Sequence, residues 1–132
     1  MSQENVEVVR RAFGLVTAGD LQGIGELIGP GFELRENVLA PDAAVYYGPD
    51  GLKKWFEASF EAFAAFRFEI ERLLDRGDWV FASVRAHGRG RESGAPFTAR
   101  YVTAFEFRLG KVVMVASHSE LSEALAAAGL EE

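Results

Sequence analysis

Hydrophobic positions recur along this chain with two different periods, and the change from one to the other divides it into helices and strands. Val6, Val9, Phe13 and Val16 stand at the spacing of one helical face, which predicts an amphipathic helix over roughly 3–18. Ala18-Gly19-Asp20 interrupts it. Asp20 is placed to cap a short second helix that carries Leu21, Ile24, Leu27 and Ile28 on one side and stops at Gly29-Pro30. From Phe32 the period shortens to two: Phe32 and Leu34 alternate with Glu33 and Arg35, and a second extended stretch, Ala44 to Tyr47, follows a turn at Pro41. A third helix opens at Pro49-Asp50-Gly51 with Asp50 as its cap. It stacks Leu52, Phe56, Phe60 and Phe63 along one face beside Trp55.

The remainder reads as four strands, Phe66 to Leu74, Trp79 to His87, Phe97 to Arg108 and Lys111 to His118, separated by Asp75-Arg76-Gly77-Asp78, the HGRGRESG stretch and Leu109-Gly110. A closing helix from Glu120 to Ala128 ends at Gly129. Strands joined by tight turns pair antiparallel, and helices gathered ahead of and between them define an α+β class. The expected architecture is a curved mixed, largely antiparallel sheet wrapped around three helices, with a short C-terminal helix, as one domain over 1–132. Such a sheet curls into a cone whose mouth holds a pocket.

Taking Leu109-Gly110 as a two-residue turn sets Arg108 opposite Lys111 and fixes the faces of the last hairpin. One face then carries Tyr101, Thr103, Phe105, Met114, Ala116 and His118; the other carries Val102, Ala104, Val113 and Val115. With Glu92-Ser93 as the preceding tip, Val84 and Ala82 fall opposite Tyr101 and Thr103, and Arg85 opposite Arg100. The first face is aromatic, uncharged and dotted with polar groups, so it is expected to line the pocket, beneath the aromatic side of the third helix. The valines and alanines of the second face would be exposed on a lone subunit, which leads to the expectation of a homodimer joined through the outer side of the sheet.

Composition narrows the partners. Of 132 residues 48% are hydrophobic, enough for one core. The absence of cysteine removes disulfides, thiolate metal sites and a cysteine nucleophile. Acidic residues outnumber basic ones 20 to 14, a formal charge of −6, which opposes binding to nucleic-acid phosphates. The local basic run of Arg85, Arg89, Arg91 and Arg100 reads as a solvated hairpin tip. No stretch has the length of a membrane span and the N-terminus lacks a secretory pattern, so a cytoplasmic protein with no membrane partner is expected. His118-x-Glu120, with His87 as the other imidazole, makes a poor metal set, and no dinucleotide or phosphate loop is present; neither metal nor cofactor is expected.

Three phrases, ENVEVVRRAF…AGDLQGIGELIGPGFE, YYGPDGLKKWFEASFEAFAAFRFE and LGKVVMVASHSELSEALAAAGL, occur in an order that resembles the SnoaL-like polyketide cyclase branch of the nuclear transport factor 2-like superfamily. The resemblance spans the chain and implies a cone-shaped fold and a homodimer. The superfamily hosts cyclases, isomerases, hydrolases, dehydratases, binding modules and proteins without chemistry. Matching the LGKVV turn sets Glu120 at the position of the cyclases' acidic residue and Thr103 at that of their histidine. Threonine cannot exchange a proton near neutral pH as imidazole does, which turns attention to His118, two residues before Glu120 and beside Tyr101.

The candidate chemistry is therefore cofactor-independent proton transfer alpha to a carbonyl, with His118 or Glu120 as the base and Tyr101 or Tyr46 as the donor to an enolate. Trp55, Phe56, Phe60, Thr103, Phe105 and Met114, together with Tyr46, are the expected contacts to a small hydrophobic molecule. The alternative is a non-catalytic ligand-binding or dimerisation module of the same fold.

Overall fold

The computed structural model describes residues 2–36 and 44–131. Its elements follow the expected order: α1 (Ser2–Ala18), α2 (Leu21–Gly25), β1 (Ile28–Glu36), β2 (Ala44–Tyr47), α3 (Gly48–Ala62), β3 (Phe63–Arg76), β4 (Trp79–Gly90), β5 (Pro96–Arg108), β6 (Lys111–His118) and α4 (Leu121–Ala127). The Pro41 turn lies outside the described residues. The strands form one curved, open sheet of six in the order β2-β1-β6-β5-β4-β3, in which β1 and β6 run parallel and every other pair antiparallel. The α+β expectation of a mixed, largely antiparallel sheet is borne out.

Local differences from the sequence pattern have tertiary causes. α2 ends at Gly25, and the chain through Gly29-Pro30 is already strand. Ile28 pairs with Val112 of β6, and a Cβ added at Gly29 would fall 2.8 Å from the Cβ of Lys111, so sheet pairing overrides the helical spacing of Ile28. Asp20 does cap α2, accepting from the Gly23 amide at 2.9 Å. Asp50, by contrast, sits inside the first turn of α3 and Tyr47 holds the cap position. Phe63 leaves the helix altogether and begins β3.

The core fills the concave side. Val9 and Phe13 of α1, Leu52 of α3, Phe32 and Leu34 of β1, Val84 of β4 and Phe105 of β5 are all buried in one cluster. The β4–β5 register is the expected one, with Val84 opposite Tyr101, Ala82 opposite Thr103 and Arg85 opposite Arg100.

The last hairpin departs from expectation. Arg108 opposes Lys111 and Phe107 opposes Val112, but Glu106 opposes Met114, so Val113 is an extra residue on β6. This β-bulge reverses every later face, because side chains alternate with period two. Phe105 now stands opposite Val115 and Thr103 opposite Ser117, while Met114, Ala116 and His118 share the other side with Glu106, Ala104 and Val102. Met114 and His118 are thereby moved from the expected pocket face to the outer face, and Val115 from the outer face to the inner.

The outer side of the sheet has its own cover. Phe81 of β4 with Val102 and Ala104 of β5 pack against Ala124 and Leu125 of α4, and Leu74, Trp79, Leu121 and Leu130 close around them. Val102 and Ala104 are only 5% and 1% exposed, so this part of the expected apolar patch is covered by α4 within one chain. On the outer side of β3–β5, Glu71 bridges Arg85 at 3.2 Å and Arg100 at 3.4 Å, and the His87 ring lies between Glu69 and Thr98, whereas on β2 the outward Val45 and Tyr47 are 41% and 65% exposed. Arg89 donates to the Gly94 carbonyl within its own hairpin and Arg91 to the Phe60 carbonyl of α3, so these two members of the basic run are tied to backbone oxygens. Among the described residues no helix is long and apolar enough to cross a membrane.

Leu125→Ala should destabilise the protein by about 2–5 kcal/mol in urea unfolding, because a fully buried leucine is removed from the outer core. Met114→Arg should change stability by no more than about 0.5 kcal/mol, since position 114 is half-exposed between its strand partners Glu33 and Glu106. Val115→Arg should cost about 2 kcal/mol or more by directing a guanidinium into the concave side. The opposite ranking of the two arginine variants would restore the unbulged register.

Candidate functional site

Between α1, α2, α3 and the concave side of the sheet lies a cavity of about 150 Å³. Its composition follows from register. At one level β5 supplies Phe105, β6 Val115 and β1 Leu34; Phe105 and Val115 are cross-strand partners, and so are Val115 and Leu34. One step along, toward the ends of β1 and β6, β5 supplies Tyr101 and Thr103, β6 Ser117 and β1 Glu36. In the other direction the walls are hydrocarbon: Ile24 and Leu27 from the α2 region, Ile28 and Phe32 from β1, and Val112 from β6. The cavity is thus graded from a polar end to an apolar one.

The polar end is held by α3. Trp55 lines the cavity and its indole N–H donates to Oε1 of Glu36 at 3.1 Å. α3 can reach that position because its first turn lies hard against β2: a Cβ on Gly51 would come within 2.8 Å of the Tyr46 backbone carbon. Phe56 sits behind Trp55 with ring centroids 6.5 Å apart, and Phe60 stacks on Phe56 at 4.6 Å. These rings buttress the wall without forming it.

Glu36 is the carboxylate of the cavity. Phe32 and Leu34 point inward and are buried, so the period of two that identifies β1 carries Glu36 to the same side. Glu33 and Arg35, on the alternate positions, pair with each other at 2.9 Å. Burial, with the nearby Glu36 charge adding to it, pushes the Tyr101 phenol up to about 12. Tyr101 therefore keeps its proton and remains a hydroxyl donor throughout the neutral range.

Of the residues expected from sequence, Tyr101, Trp55, Thr103 and Phe105 line the cavity. Tyr46, Phe56 and Phe60 do not; Tyr46 and Phe56 pack against the main core behind it. Met114, His118 and Glu120 are corrected in position. The bulge at Val113 turns Met114 and His118 outward, and Glu120 occupies the exposed cap position of α4, its carbonyl accepting from the Ala124 amide. His118 is held below the ordinary imidazole range by burial, partly offset by the charge of Glu123 on α4. Two polar residues of the cavity were not expected from the sequence: Glu36, which strict alternation from Phe32 would have found, and Ser117, which is hidden by the bulge. Among the described residues no group of three or more His, Cys, Asp or Glu is placed to hold a metal.

The displaced phenol has a sign that can be tested. A phenol raised from 10.0 to about 12 in the folded protein contributes stability that is fully present below pH 10 and is lost as pH climbs through the folded value. An ultraviolet titration should show a late phenolate component near pH 12 that Tyr101→Phe removes, and the variant should lose less stability across that alkaline range.

Comparison with known proteins gives the fold a context. No curated protein matches the chain. Among solved structures, a putative SnoaL-like polyketide cyclase from Jannaschia sp. CCS1 superposes with a TM-score of 0.79 at 20% identity, over 100% of this chain and 96% of that one. A hypothetical protein with a ketosteroid isomerase-like fold from Catenulispora acidiphila, in complex with trimethylamine, has a TM-score of 0.77 at 18% identity and covers 95% and 94%. AclR, a putative hydroxylase from Streptomyces galilaeus, has a TM-score of 0.75 at 16% identity and covers 98% of both chains. These likenesses share the fold. The SnoaL-like domain model matches residues 9–115, most of the chain, and the protein belongs to that family.

Proposed function

We propose that the cavity binds a small, largely hydrophobic carbonyl compound and moves a proton on it without a cofactor, in the manner of an isomerase or cyclase. The observation that carries this reading is Glu36, the one carboxylate lining the cavity among the described residues, set beside a phenol that stays protonated at the polar end of a largely hydrocarbon space. Glu36 takes the place of the His118/Glu120 pair as the proton acceptor, and Tyr101 keeps the donor role.

In the proposed step a Glu36 oxygen takes a proton from carbon alpha to the carbonyl. The C–H electron pair becomes the C=C bond of an enolate, and the charge moves to the carbonyl oxygen, toward which the Tyr101 O–H is the donor. The proton on Glu36 then returns to another carbon, completing an isomerisation; or the enolate carbon attacks a second carbonyl carbon of the same molecule, the C=O π pair moves to its oxygen, and that alkoxide takes the proton from Glu36 as the ring closes. The Trp55 N–H holds Oε1 and so orients the carboxylate. Thr103 and Ser117 lie on the same polar end and can orient the substrate's oxygen functions.

The test uses cyclohex-3-en-1-one in deuterated buffer, followed by NMR for deuterium entering the alpha carbon and for conversion to the conjugated ketone. The protein should accelerate exchange over acetate at equal concentration. Glu36→Gln should lower that rate on the order of a hundredfold or more, and Tyr101→Phe should also lower it. Exchange no faster than acetate, with the ketone shown to be bound, would leave the non-catalytic binding module in its place.

A further inference from the structure

We infer that the cavity selects an uncharged molecule of about one ring, held with its oxygen function toward Glu36 and Tyr101 and its hydrocarbon end toward α2, and that it excludes fused polycyclic compounds and carboxylates. This rests on the reading of the cavity as a ligand site and specifies the ligand class.

Size comes first. The cavity measures about 150 Å³, and a protein cavity of that volume with aliphatic and aromatic walls is filled by one benzene-sized molecule. Part of its wall is core. Phe32, Leu34, Phe105 and Val112 are 2%, 7%, 5% and 3% exposed and belong to the main core. A second or third fused ring would have to push these apart, and cores resist added volume because side chains are forced out of their rotamers. Phe13 adds to this stiffness: its ring meets Phe68 at 5.3 Å and Phe105 at 5.8 Å, bracing the floor from α1 across to β5.

Orientation follows from the gradation of the walls. A ligand that put its oxygen at the α2 end would bury it among Ile24, Leu27 and Val112 without a partner, whereas the opposite pose offers it the Tyr101, Thr103 and Ser117 hydroxyls. Charge follows from Glu36. Only two ionisable side chains line the cavity among the described residues, Glu36 and Tyr101, and neither carries positive charge. An anionic ligand would face a carboxylate at close range in a poorly solvated space with nothing to neutralise it, and juxtaposed like charges reject wrong partners strongly.

The experiment follows the indole N–H of Trp55 by NMR, assigned by its loss in Trp55→Phe, during titration with three probes. These are cyclohexanone, cyclohexanecarboxylate, and anthrone, a neutral ketone of three fused rings. Cyclohexanone should shift the Trp55 signal saturably. Cyclohexanecarboxylate should bind at least about tenfold more weakly, and anthrone should leave the signal unmoved. Glu36→Gln should bring the carboxylate close to the ketone in affinity, because it removes the charge and retains the shape. Anthrone binding as tightly as cyclohexanone would overturn the size limit while keeping the cavity as a ligand site. Equal binding of ketone and carboxylate to the unaltered protein would overturn the charge selection. A Trp55 signal that responds to none of the three would overturn both this inference and the function proposed above.

Discussion

The arrangement of this protein depends on one extra residue in one strand. Val113 has no counterpart on β5, and the bulge it makes divides β6 into a segment that follows the turn geometry and a segment that is out of step with it. Without it, Met114, Ala116 and His118 would face α1 and α3, and Val115 and Ser117 would face α4. With it, the concave side receives a valine and a serine, and the convex side receives a methionine, an alanine and a histidine. The difference decides the chemistry of the cavity, because it replaces an imidazole by a hydroxyl and leaves Glu36 as the carboxylate there.

The same bulge makes sense of a sheet that is apolar on both sides. A strand exposed on one face alternates cleanly, and a run such as Val112-Val113-Met114-Val115-Ala116 does not. Read as a half-exposed strand, it leaves a patch that calls for a second copy. On the neighbouring strands α4 covers the outer apolar positions, its Ala124 and Leu125 each 1% exposed against Phe81, Val102 and Ala104. The closing helix is therefore a piece of the core, and the outer side of β3–β5 is held by pairings such as Glu71 with Arg85 and Arg100.

How much of this was legible in the sequence differs from element to element for physical reasons. The helix-to-strand order and the β4–β5 register could be read because alternation and turn residues act locally, and each tight turn fixes its own hairpin. The beginning of β1 could not, since Ile28 has helical spacing but is claimed by β6, which is distant in sequence. The face of α3 was legible, although only Trp55 of its aromatic group reaches the cavity. Glu36 was open to inference from Phe32 and Leu34 and was missed because no partner for it is visible in the sequence; its partner Trp55 lies nineteen residues on. A bulge carries no such signal, as any residue of Val112 to Val115 could have been the extra one. The candidate site was thus legible where it rests on β5 and obscured where it rests on β6.

The placement of Glu36 has an energetic logic that joins fold to function. An isolated carboxylate in an apolar cavity is costly, and proteins retain such groups where hydrogen bonds compensate or where chemistry needs them. Among the described residues the indole N–H of Trp55 supplies such a bond, and α3 is the element that carries it. One donor satisfies part of a carboxylate's capacity, since its two oxygens accept several hydrogen bonds. A group so held is fixed in direction, and the raised Tyr101 phenol opposite it remains a donor instead of becoming a second anion. An acceptor and a donor kept distinct at the polar end of one small cavity are the minimum that proton transfer beside a carbonyl requires, and the fold obtains both from strand ends whose neighbouring side chains are committed to the core.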